Sequence, residues 1–157
     1  MTKSFPRIIS LTVLICIAVL CADSALADVS QIQTFASDSF TYYVVDGRIC
    51  GARYQGTSDD VVIPKKIDGY PIASIGDGAF MKYGFLKSVT ILDNTVSIGS
   101  YSFFGCSGLT AVSIPKTVKF IGERAFEGCE NLTLIVVENS YAASYAEENG
   151  IPYIFAS

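Results

Sequence analysis

Cysteines and carboxylates are the side chains with chemistry to offer in this chain, because it contains no histidine and no tryptophan. Without imidazole there is no Ser-His-Asp or Cys-His nucleophilic pair, no imidazole metal site and no side chain of ordinary pKa near neutrality to act as a general base. The carboxylates include two adjacent pairs, Asp59-Asp60 and Glu147-Glu148. Neighbours on a strand point to opposite faces, and on a helix they point about 100° apart, so neither pair forms an acid and base by spacing. Cys50, Cys106 and Cys129 are scattered without CxxC spacing and make a poor metal site. Gly76-Asp77-Gly78 is no phosphate cradle, since no Gly-Lys-Ser or Gly-Lys-Thr follows. The expectation is a non-enzymatic protein with no cofactor, no metal and no catalytic residue.

What positions these residues is a repeat. Ile75-Gly76-Asp77-Gly78-Ala79-Phe80, Ile98-Gly99-Ser100-Tyr101-Ser102-Phe103 and Ile121-Gly122-Glu123-Arg124-Ala125-Phe126 recur every 23 residues, with Ile, Gly, a small residue and Phe in register. Three residues past each Phe stand Tyr83, Cys106 and Cys129, and six past it Leu86, Leu109 and Leu132. The apolar pairs Val89 and Ile91, Val112 and Ile114, Ile135 and Val137 follow. A short coil cannot bury its apolar side alone, so a fixed period predicts a solenoid. Each segment L-x-x-V/I-x-I/V predicts a strand with its Val and Ile inward and Thr90, Ser113 or Val136 outward. The Gly after each Ile is expected to permit a turn closed to residues with a side chain. Phe80, Phe103 and Phe126 are expected to line up as an internal ladder. Cys106 and Cys129 then become neighbours in the stack. They read as buried thiols acting as small hydrophobes, because Tyr83 at the same position is no bridge partner. A disulfide between the coils stays open if the Cα atoms approach within about 7 Å.

The pattern I-P-x-x-V-x-x-I-G-x-x-A-F-x-x-C-x-x-L-x-x-V-x-I resembles the leucine-rich repeats of the BspA type, found in secreted and surface proteins of bacteria and some protists. Ile114-Pro115, Val118, Ile121-Gly122, Ala125-Phe126, Gly128-Cys129, Leu132 and Ile135 carry the match. The second unit departs at Leu92, where the pattern has Pro, and at Thr95, where it has an aliphatic; the first has Tyr83 for Cys and a longer turn over Asp68–Ile72. The resemblance spans Tyr42 to the end. It implies an α/β leucine-rich repeat solenoid of short parallel β-strands stacked at a 23-residue period, with an N-terminal β-hairpin cap and a C-terminal short helix and extended tail. It also implies an adhesin-like module that binds a protein or cell-surface component. Because function resides in sites and not in folds, a structural or accessory module associating with another envelope protein is the alternative.

The flanks fit this arrangement. Tyr42 to Tyr54 reads as two strands around the Asp46-Gly47 turn, a strong hairpin signature, placing an N-cap over 40–57. The repeats then run over 58–137, Ser58 standing where the first unit would have Leu and Val61 and Ile63 supplying its strand. The C-cap covers 138–157: Ser140 opens a helix, Tyr141 and Tyr145 share a face, Asn149-Gly150 stops it, and Ile151 to Phe155 is extended. Residues 28–39 read as a poorly ordered lead-in.

Met1 to Ala27 has the form of a secretory signal peptide, with Lys3 and Arg7 ahead of an apolar run from Ile8 to Ala22 and Ala25-Leu26-Ala27 as the cleavage signal. Cleavage after Ala27 leaves 130 of the 157 residues, enough for one domain. It removes two of eleven basic and one of fifteen acidic residues, so nine against fourteen remain and the net charge is −5. That balance disfavours nucleic acid, which requires a basic patch. The expected location is secreted, cell surface or periplasm, with no membrane span after cleavage.

With no reactive cluster, function falls to surfaces, and solenoids commonly bind through an extended face. The strand side is expected to present Lys87, Ser88 and Thr90, then Thr110, Ala111 and Ser113, then Thr133, Leu134 and Val136. Among these, Lys87, Thr90, Thr110, Ser113, Thr133 and Val136 are the candidate partner-binding residues. A face of so few coils suits a weak or avidity-dependent contact.

Overall fold

A computed structural model describes residues 33–157, so the leader and cleavage site read at 1–27 lie outside the described residues. The chain winds as a solenoid in which successive coils contribute short strands to two sheets. One is a five-stranded, all-parallel sheet. Its members are β4 (Asp60–Ile63), β7 (Ser88–Ile91), β9 (Ala111–Ile114), β11 (Thr133–Val136) and β12 (Tyr153–Phe155), side by side in that order. The other runs β1 (Gln33–Ala36), β2 (Phe40–Val45), β3 (Arg48–Tyr54), β6 (Tyr70–Ile75), β8 (Ser97–Ile98) and β10 (Phe120–Ile121). Its first two pairings are antiparallel and the rest parallel, with β5 (Lys66–Ile67) attached to β6.

The stacked strands are built by alternation. In β4, β7, β9 and β11 every second side chain is buried, and the buried ones lie directly across from one another: Val61 opposite Val89, Val89 opposite Val112, Val112 opposite Leu134. Ile75, Ile98 and Ile121 form the equivalent row in the second sheet. Between the sheets run the rings. Phe80 stacks on Phe103 at a centroid distance of 5.0 Å and 11° between planes, and Phe103 on Phe126 at 5.2 Å and 4°. The expected ladder therefore exists, and it is longer than its repeat. Tyr54 stacks on Phe80 at 5.1 Å, Phe40 meets Tyr54 edge-on, and Tyr145 meets Phe126 edge-on. Burying each such ring contributes about 1.5–3 kcal/mol before entropy is counted.

The glycine after each repeat Ile serves a different purpose from the one expected. Gly76, Gly99 and Gly122 do not have positive φ. A Cβ on Gly99 would lie 2.6 Å from the Asp77 nitrogen, and one on Gly122 2.4 Å from the Ser100 nitrogen. Close approach of adjacent coils demands these glycines. The left-handed backbone falls two residues later, at Gly78, Tyr101 and Arg124 with φ of 59°, 56° and 52°.

The Asp46-Gly47 hairpin forms as expected: both residues are left-handed, φ 48° and 71°, as a type I′ turn requires. The stretch expected to be a poorly ordered lead-in differs, because Gln33–Ala36 is strand β1, antiparallel to β2, with Phe35 stacked on Tyr42 at 5.7 Å. Four residues are too short for their alternation to register in the sequence. Helix α1 (Tyr141–Glu148) begins at Ser140, whose hydroxyl accepts from the Ala143 N–H at 3.2 Å, and buries Ala142 and Ala146. Gly150 follows its end in left-handed conformation, φ 64°. The extended tail becomes β12, parallel to β11.

Candidate binding face

The outward positions of the five-stranded sheet form two rows. The central row is Val62, Thr90, Ser113, Ile135 and Ile154, each directly opposite the next across a parallel pairing. Beside it runs Asp60, Ser88, Ala111 and Thr133. Val62 and Ile154 are 59% and 56% exposed, and Phe155 next to Ile154 is 53% exposed, so the central row is apolar at its ends and hydroxylated in the middle. Charge is confined to one edge. Lys87 Nζ meets Asp59 Oδ2 at 2.6 Å, and Asp60 Oδ1 accepts from the Ser88 hydroxyl at 2.5 Å. The Lys87 hydrogen bond holds the Asp59 carboxyl below its ordinary range, and the same contact raises Lys87. Both are solvent-exposed, so the pair shapes local charge without anchoring the fold.

Of the six candidate residues, Lys87, Thr90, Thr110, Ser113 and Thr133 lie on or beside this face, and the Thr110 hydroxyl donates to the Lys87 carbonyl at 3.1 Å. Val136 does not. It is fully buried, as is Leu134, while Ile135 takes the outward position. The cause is a unit one residue short. Leu109 is followed by two residues before inward-facing Val112, whereas Leu132 is followed only by Thr133 before inward-facing Leu134. Extrapolating 23 residues therefore lands one position late and exchanges the two faces. The missed outward residues are Val62, Ile135 and Ile154.

The thiols take no part in a reactive site. Cys50, Cys106 and Cys129 are free. Cys106 Sγ donates to the Phe80 carbonyl at 2.9 Å and Cys129 Sγ to the Phe103 carbonyl at 3.0 Å, each reaching the ladder residue of the preceding coil. Tyr83, at the same repeat position, sends its hydroxyl to the Tyr54 carbonyl at 3.0 Å. The position thus calls for a donor to the ladder backbone, which S–H or O–H supplies. Hydrogen bonding with Cys106, then burial, pushes the Cys129 thiol up, the reverse of an activated nucleophile. Among the described residues no group of three or more Cys, Asp or Glu could hold a metal, and no helix is long and apolar enough to cross a membrane.

The coil-on-coil stacking, the ring ladder and the thiol row together point to one repeat type, and a family model for the BspA type leucine-rich repeat region matches residues 73–147 in six copies. The chain carries BspA-type leucine-rich repeats. Among solved structures, it is similar to a leucine rich cell surface protein from Faecalibacterium prausnitzii, at 30% identity and a TM-score of 0.61, over 73% of this chain and 31% of that one. It is also similar to a leucine-rich repeat protein from Bacteroides capillosus, at 28% identity and a TM-score of 0.61, over 68% of this chain and 83% of that one. The chain thus spans about a third of the first and most of the second. No curated protein matches.

Proposed function

We propose that this chain is a non-enzymatic recognition module acting outside the cytoplasm, which binds a protein or cell-surface component through the outward face of its five-stranded sheet. The observation that carries the reading is the central row Val62, Thr90, Ser113, Ile135 and Ile154, an uncharged strip across the whole sheet. Small hydroxyls and aliphatics with no charge to desolvate suit a face that exchanges water for a partner. Export by the leader read at residues 1–27 and the cell-surface role named for the Faecalibacterium relative support the location. A second reading, a structural or accessory envelope module, is favoured by Ile154 and Phe155, which expose apolar area on the edge strand β12.

The test is capture of immobilised extracellular-matrix and cell-surface components by the wild type and by the triple substitution Thr90→Glu, Ser113→Glu, Ile135→Glu. These outward positions accept charge without disturbing the core, so the variant keeps its far-UV spectrum. Loss of capture by the triple variant supports the face; equal capture moves recognition elsewhere. A constitutive complex in native extract that survives the triple substitution and is lost on Phe155→Glu favours the accessory reading.

A further inference from the structure

We propose that the C-terminal end of the coil stack is a second recognition site, which takes an extended peptide bearing an aromatic side chain as if it were one more repeat strip. In each coil the strip after Ile-Gly sends alternate backbone N–H groups along the stack axis. Gly78, Phe80 and Lys82 donate to the carbonyls of Ser100, Ser102 and Phe104 at 2.9, 2.7 and 2.8 Å. Tyr101, Phe103 and Gly105 donate to Glu123, Ala125 and Glu127 at 3.0, 2.8 and 2.8 Å. Arg124, Phe126 and Gly128 hold the same repeat positions in the last coil. Among the described residues none of their three N–H groups has a backbone acceptor.

The donors are nevertheless held ready. Arg124 and Gly128 keep the left-handed conformation of their counterparts, φ 52° against 56° at Tyr101 and 79° against 68° at Gly105. Helix α1 does not close the end. A cavity of about 490 Å³ separates it from the strip, lined by Ile121, Phe126, Glu127, Tyr145 and Asn149 among others. That volume falls within the range of small-ligand pockets. Phe126 has Phe103 stacked on one side, while Tyr145 meets it only edge-on at 6.2 Å, so no ring is stacked on its other side. Unpaired amides beside an apolar ring are what strand addition uses: main-chain hydrogen bonds for affinity and a side-chain pocket for selection.

The occupant is a peptide and not a second copy. The opposite end of the stack is already covered, since Tyr54 stacks on Phe80 and Arg53 Nη2 donates to the Gly78 carbonyl at 3.5 Å, which leaves no bare strip to offer. The natural probe is a capped peptide with the sequence of residues 99–105, Gly-Ser-Tyr-Ser-Phe-Phe-Gly, whose carbonyls and Phe103 ring satisfy the equivalent groups one coil earlier.

The experiment is amide hydrogen exchange on the ¹⁵N-labelled protein with and without this peptide. Without it, Tyr101, Phe103 and Gly105 exchange slowly while Arg124, Phe126 and Gly128 exchange fast. With peptide at about ten times its Kd, protection of the last three rises roughly tenfold. Asn149→Trp, which fills the cavity, removes the gain; if that variant unfolds α1, the wild-type exchange decides alone. The proposal is overturned if the peptide leaves the three amides unprotected. It is also overturned if the same peptide with Ala in place of Phe103 protects them equally, or if inorganic phosphate does. Because the strand face lies elsewhere, the triple Glu variant retains peptide protection, so the two sites fail independently.

Discussion

Replacing Phe103 by alanine removes the middle ring of the ladder. Phe103 is fully buried, with Phe80 at 5.0 Å on one side and Phe126 at 5.2 Å on the other. A buried Phe→Ala change costs about 3–5 kcal/mol, and each aromatic pair adds about 0.5–1.5 kcal/mol beyond area. Two stacked partners place Phe103→Ala near the top of that range, about 4–5 kcal/mol. Phe126→Ala loses one stacked partner and opens onto an existing cavity, so it costs less, about 3 kcal/mol. Against a total stability of about 5–15 kcal/mol the central change is the difference between a robust and a marginal protein. Since stability in a solenoid sums over neighbouring coils, a void between two interfaces also lowers cooperativity. The assay is urea unfolding followed by far-UV circular dichroism and tyrosine emission, the chain having no tryptophan. A loss under about 1.5 kcal/mol for Phe103→Ala, or one no larger than for Phe126→Ala, refutes a continuous ladder.

Three further outcomes follow from single positions. Ser102 occupies the row of Ala79 and Ala125, fully buried with no partner for its hydroxyl, so Ser102→Ala stabilises the protein by about 1–2 kcal/mol in the same denaturation assay. Val136→Thr buries a hydroxyl and costs about 1–3 kcal/mol, whereas Ile135→Thr stays within about 0.5 kcal/mol; the reverse ranking would place the strand in the other register. Tyr42 donates to Asp68, and that hydrogen bond, with burial and the Asp68 charge, pushes its pKa to about 12. A folded-state value above the unfolded one contributes stability that is complete below pH 10 and lost as pH rises through about 12. Ultraviolet titration at alkaline pH therefore shows one late tyrosine that Tyr42→Phe removes.

Much of this was legible in the sequence because the repeat enforces it. Phe80, Phe103 and Phe126 sit at a strict spacing, and stacking coils at that spacing leaves the rings nowhere to go but onto one another. Tyr54 was illegible as the first rung, since it lies 26 residues before Phe80, off the period. The last strand was misread because both alternations are apolar: Leu132, Ile135 and Val137 satisfy the pattern as well as Leu132, Leu134 and Val136. Only the backbone pairing of Thr133 with Ala111 separates them. The cysteines were legible as small buried groups, but their hydrogen bonds to the ladder carbonyls depend on inter-coil geometry that composition does not encode. Gly99 and Gly122 were found for the wrong reason, because tight turning and close approach select the same residue.

The binding face exists only if Val62, Thr90, Ser113, Ile135 and Ile154 share one solvent-facing row while Val61, Val112, Leu134 and Val136 lie behind it. Methyl NMR with a soluble paramagnetic agent reads this directly. The account predicts strong broadening of the Val62, Ile135 and Ile154 methyls and none at Val61, Leu134 and Val136. Broadening of Val136 with a protected Ile135 would contradict it.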